Sequence, residues 1–145
     1  MMDRHAFIVF VIGMLCISGC HPPDDRQALH TTTSWASTSV FATQQWLRGT
    51  VPTRYATQML DATAKALEHE RQTTAQQPTP AAPTTAAQMD TVSQLSHALS
   101  SAIQRDDSST VIALSRSATQ VQQTLQQRST NADSAEQRRQ RELAE

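Results

Sequence analysis

The sequence predicts an all-α protein: a small, loosely packed helical bundle, or two helical hairpins joined by a Pro-rich linker. Three observations carry that expectation. Apolar residues recur at three- and four-residue intervals in four stretches, the spacing that puts them on one helical face. Glycine and proline, the strongest helix punctuation, fall between those stretches. Ala, Thr, Gln and Ser make up about half of the 145 residues, while hydrophobic residues are 38% and aromatics 4%. That mixture is too poor in Leu, Ile, Val and Phe to line the core of a large enzyme. Twelve Lys and Arg against thirteen Asp and Glu give a formal net charge of −1. Such a balance offers no positive field for phosphates, which argues against nucleic-acid binding. It equally lacks the high net charge that, with low hydrophobicity, favours full disorder.

The chain opens MMDRHAFIVFVIGMLCISGC. Arg4 makes a short basic region, diluted by Asp3, and Ala6 to Gly19 is an uncharged, largely apolar run of 14 residues. A helix crossing a bilayer needs roughly 20 apolar residues. The run is short of that and fits the apolar part of a secretory signal peptide, which ends at small residues. Its end, Ile17-Ser18-Gly19-Cys20, resembles the lipobox of bacterial lipoproteins: a branched aliphatic, two small residues, then cysteine. The resemblance implies a signal peptide over 1–19, cleavage between Gly19 and Cys20, and a diacylglycerol on the Cys20 thiol. Residues 20–25 would then be a lipidated tether. Cys16 would leave with the signal, so the mature chain would hold no disulfide, no free thiol and no cysteine-based zinc site. His21 stands where an aspartate retains such proteins in the inner membrane. In a Gram-negative cell this implies the outer membrane, facing the periplasm.

From there the elements follow in order. His21-Pro22-Pro23 is an extended tether, because proline fixes φ and disfavours helix in the residue before it. Asp24 and Asp25 suit the positive end of a helix dipole. A first hairpin is expected over 26–73. Its first helix carries Leu29, Ala36, Val40, Thr43 and Leu47 on one face, flanked by Trp35, Phe41 and Trp46. The Thr31-Thr32-Thr33-Ser34 cluster is poor helix material and is expected to kink or fray it. Gly49 suits the left-handed position past a helix end, and Pro52 the start of the next helix. That helix continues through Tyr55, Ala56, Met59, Leu60, Thr63 and Leu67.

Residues 74–87 read as a linker, since Pro78, Pro80 and Pro83 exclude helix. A second hairpin is expected over 88–130. Its first helix has a stripe of Met89, Val92, Leu95 or Ser96, Leu99 and Ile103. The stretch from Gln104 to Thr110 breaks it, with acids and hydroxyls that cap the next helix. That helix carries Val111, Leu114, Ala118, Val121 and Leu125. The charged tail 131–145 is helical or frayed, with little obliging it to pack. From Cys20 onward only 17 of 126 residues are Leu, Ile, Val or Phe, below the roughly 20% expected of a globular core.

Catalytic and ligand-binding signatures are sparse. His21, His30, His69 and His97 include no pair at i, i+3 or i, i+4, and there is no HExxH. Glu68-His69-Glu70 points three ways around a helix, as a solvated face does. No GxSxG elbow occurs. Past Cys20 the single glycine is Gly49, so no Gly-rich loop exists to cradle a nucleotide phosphate. Asp24-Asp25 and Asp106-Asp107 sit at expected helix starts, where capping accounts for them. Arg138-Arg139-Gln140-Arg141 reads either as a contact for anionic lipid or peptidoglycan or as a solvated helix, and Glu136, Glu142 and Glu145, which nearly neutralise it, favour the second.

Trp35, Trp46 and Tyr55 hold most of the aromatic content and read either as core or as a partner or ligand surface. The expectation is a non-enzymatic, lipid-anchored envelope protein with a structural or protein-interaction role. It needs no cofactor and no metal. Its partners are the membrane, through its lipid, and another envelope protein, with no nucleic acid or nucleotide. The alternative is a small binding module whose aromatic hairpin around Trp46 and Tyr55 holds an apolar ligand or a partner helix.

Overall fold

Four helices form where the apolar stripes predict them: α1 (Asp25–Leu47), α2 (Thr53–Ala75), α3 (Ala82–Gln104) and α4 (Ser108–Glu142). They belong to a computed structural model that describes residues 25–76 and 78–144. The expected signal segment over 1–19, Cys20 and the expected tether before Asp25 lie outside the described residues. Short turns connect the helices, so successive ones run antiparallel.

Of the two architectures expected, the single bundle is the one formed. The most extensive helix contact is between α2 and α3, across the proline-rich segment, and α1 packs on all three other helices. Among the described residues α2 and α4 do not pack on each other. They occupy the long diagonal of the bundle, while α1 and α3 meet across the short one.

Small side chains permit that close approach. Half of the buried apolar side chains are alanine, and eleven serines and threonines are buried with them. Ser39 on α1 and Ser96 on α3 share a hydrogen bond of 2.8 Å between their hydroxyls. Ser96 stays bonded to the Val92 carbonyl at 2.8 Å. Two apolar clusters flank this contact. One gathers Val40, Leu60, Leu99, Ile103 and Val111, with Trp46 packed against it. The other gathers Leu67, Met89, Val92 and Leu125, with Trp35 packed against it.

The turns follow from backbone chemistry. Gly49, at φ +68°, ends α1 in the left-handed region, as expected. Thr50 N–H donates to the Gln45 carbonyl at 3.0 Å and Gly49 N–H to that of Trp46 at 2.8 Å, the bond pair of a Schellman cap. Pro52 is extended and immediately precedes Thr53, the first residue of α2. The α3–α4 turn repeats the cap with a different residue: Asp106 has φ +54°, with Asp107 N–H on Ala102 at 3.0 Å and Asp106 N–H on Ile103 at 3.1 Å. Asp107 then caps α4, accepting from Thr110 N–H at 3.0 Å and Thr110 Oγ1 at 2.6 Å.

Two expectations are corrected. First, α1 runs unbroken through the Thr31–Ser34 cluster. Thr32 Oγ1 and Thr33 Oγ1 donate to the carbonyls one turn back, at 2.7 and 2.8 Å, so the hydroxyls are satisfied inside the helix. Second, the linker is shorter than 74–87, because α2 continues through Ala75 and α3 begins at Ala82. Pro83 sits in the first turn of α3, where its missing N–H costs no intrahelical bond. Thr79 Oγ1 ties this turn to Asp25 Oδ1 at 2.7 Å. Of the two residues left open in the α3 stripe, Ser96 is the buried one and Leu95 is only partly buried, since the Ser39 hydroxyl of α1 meets α3 there.

Candidate functional site

The antiparallel order gives the bundle two unlike ends. One carries the start of α1, the α2–α3 turn and the end of α4. The other carries the α1–α2 and α3–α4 turns.

At the first end α4 is fastened to α1 along one register. Gln122 Nε2 donates to Ser37 Oγ at 3.0 Å. Eleven residues further along each helix, in opposite directions, Arg26 Nε donates to Asp133 Oδ1 at 2.7 Å. His30 Nε2 approaches the same oxygen at 3.2 Å. His30 first, with Arg26, holds the Asp133 carboxyl below its ordinary pKa. Beyond this staple α4 keeps going to Glu142. In the sequence Cys20 stands five residues before Asp25, the first residue of α1 at this end.

The three aromatic candidates are not brought together. Trp35 packs against the cluster around Leu67 and Leu125, about 16 Å along α1 from Trp46. Trp46 packs against the cluster around Val40 and Leu60, and its Nε1–H donates to Thr53 Oγ1 at 3.1 Å. That bond bridges the α1–α2 turn and gives Trp46 a structural part. Tyr55 is exposed. Three further exposed apolar side chains, Phe41, Leu47 and Ile112, lie in the same half of the bundle. Sequence reading missed Phe41 and Ile112 as surface residues. Each neighbours a buried residue, Val40 and Val111, and the phase of a stripe one residue wide does not tell the two apart.

Charge chemistry is local. Arg71 grips Glu68 with Nε on Oε2 at 2.9 Å and Nη2 on Oε1 at 2.8 Å, and Gln72 adds a bond at 3.0 Å. Arg71 foremost and Gln72 after it lower the Glu68 pKa to about 2. Glu68 is therefore occupied by its own helix face. Among the described residues no cluster of three His, Cys, Asp or Glu side chains is placed to hold a metal ion. A shallow groove runs between α3 and α4, lined by Gln88, Thr91, Val121, Thr124, Leu125 and Arg128. Its walls offer no paired acid and base.

No helix among the described residues is long and apolar enough to cross a membrane. No protein-family model, curated protein or solved structure is significantly similar to this chain.

Proposed function

We propose that this chain is a lipid-anchored protein of the bacterial cell envelope, with a structural or protein-interaction role and no catalysis of its own. The observation that carries the reading is Ile17-Ser18-Gly19-Cys20 at the end of a 14-residue uncharged run. On this reading the membrane affinity comes from acyl chains, at about 0.8 kcal/mol per buried methylene, so two or more chains hold the protein stably. In a Gram-negative cell, His21 after the lipidated cysteine favours the outer membrane, facing the periplasm.

The partner, on the same reading, is another envelope protein, and it meets the end of the bundle away from the anchor. The exposure of Phe41, Leu47, Tyr55 and Ile112 in that half favours this choice, since large apolar and aromatic side chains carry most of the energy of an interface. Tyr55 keeps the role given to it by the alternative, a small binding module around Trp46 and Tyr55. Trp46 supports that surface from behind.

Paired cysteine variants test the anchor. Cys20→Ser removes the thiol that accepts the lipid, so fatty-acid labelling is lost and unprocessed precursor accumulates. Cys16→Ser leaves labelling and processing unchanged, because Cys16 departs with the signal. Normal maturation of the Cys20→Ser protein to a soluble form would mean an ordinary signal peptide. Retention of residues 1–19 by the wild-type protein would mean a signal anchor. Either result removes the proposal.

A further inference from the structure

We propose that the projecting end of α4 rests on the anionic phospholipid headgroups of the leaflet that holds the Cys20 lipid; the inference rests on the anchor reading above. The register set by Gln122–Ser37 and Asp133–Arg26 places Ser134 level with Asp25, the first residue of α1. Ala135–Glu142 therefore runs past the start of α1, about 12 Å of helix. The last buried side chain of α4 is Ser129, and every residue from Gln137 to Ala144 is exposed. The packing of the bundle does not account for this extension.

Its position and its chemistry point the same way. The tether from Cys20 to Asp24 spans at most about 17 Å, so the end that carries the extension is held close to the bilayer. Arg138, Arg139 and Arg141 fall on the extension, and among the described residues none of them is within ion-pair distance of an acid. Guanidinium groups bind phosphate through two parallel hydrogen bonds. Leu143, 88% exposed, supplies an apolar side chain at the tip. Favourable charge at the C-terminus of the helix dipole explains Arg139 and Arg141 in the last turn, but not why the helix outruns its packing partners. Glu136, Glu142 and Glu145 in the sequence offset the net charge. The contact therefore orients a protein already held by its lipid and does not hold it alone.

The test uses the mature lipidated protein in phosphatidylcholine vesicles with and without phosphatidylglycerol. The only cysteine past the signal is Cys20, blocked by lipid, so an environment-sensitive fluorophore reports from an introduced Gln140→Cys. Its emission should shift to the blue in the phosphatidylglycerol vesicles alone, and a probe on Ser108→Cys, at the opposite end, should not move. Each Arg→Gln change at 138, 139 or 141 should weaken the contact about fivefold. Salt at about 1 M, with a screening length near 3 Å, should abolish the shift. Equal emission in the two vesicles overturns the proposal, as does a shift that survives all three Arg→Gln changes. A shift that needs peptidoglycan fragments instead of lipid also overturns it. Acyl chains carried by the protein are counted from its mass before it is added to the vesicles. If they are absent, the anchor reading fails and takes this inference with it; if they are present beside an unshifted probe, only the contact fails.

Discussion

Gly49 and Asp106 occupy equivalent places, each closing a helix in the left-handed region, and chemistry separates them. A Cβ added at Gly49 would meet nothing within 4 Å. Gly49→Ala therefore costs only backbone strain, about 1 kcal/mol, which lowers Tm by about 3–6 °C in calorimetry. An unchanged Tm would show that the turn has another source of definition. Asp106 takes the same conformation without glycine, because short polar side chains enter it at lower cost than others. Next to it, Asp107 has its pKa lowered to about 2, first by the bond from Thr110 Oγ1 and then by Thr110 N–H and Ser109 Oγ. A depressed carboxyl pKa adds stability above the unfolded value, near 4, and loses it as pH falls through the folded value. Asp107→Asn keeps an effective cap but does not titrate. In acid-unfolding series it should be less stable than the wild type at pH 7 and lose less stability between about pH 4 and about pH 2, so that the two converge in acid. Identical acid profiles would exclude Asp107 as a contributor.

Among the elements, the encounter of α1 with α3 was the least legible. The apolar stripes located all four helices, because burial selects every third or fourth residue whatever the partner. They did not reveal which helices approach closely, since Ala36, Val92 and Ser96 belong to stripes that do not name their partner, and Ser39 lay outside the stripe until both faces are superposed. The proline segment was misjudged for a related reason. Proline is excluded from helix interiors but tolerated in a first turn, and counting prolines does not locate Pro83 relative to the start of α3. Of the exposed set at the far end, Tyr55 alone was legible, as an aromatic beside a turn; Leu47 was placed on the apolar face of α1 but is exposed at its last turn, and Phe41 and Ile112 depend on the exact phase of α1 and α4. The close helix contact makes its own prediction. Ser96→Ala deprives the buried Ser39 hydroxyl of its partner and costs about 1–2 kcal/mol. Combining Ser39→Ala with Ser96→Ala removes both buried groups, so the double variant should cost less than the sum of the singles in denaturant unfolding. Strict additivity would mean the hydroxyl pair does not couple the two helices.

At the scale of the molecule, a bundle built largely on Ala, Ser and Thr gains little apolar burial per helix against the cost of ordering its backbone. Its few large buried side chains, such as Leu60, Leu67, Leu99 and Ile103, are divided between the two clusters on either side of the Ser39–Ser96 contact. The Arg26–Asp133 staple joins α4 to the first turn of α1, at the end proposed to face the membrane. The opposite end carries the exposed apolar residues proposed as a partner surface. This division of labour depends on one covalent event at Cys20, and the mass of the amino-terminal peptide of the mature protein tests it most directly. The account predicts a peptide that begins at Cys20 and carries a thioether-linked diacylglycerol. A peptide that begins elsewhere, or a free Cys20 thiol, would contradict it.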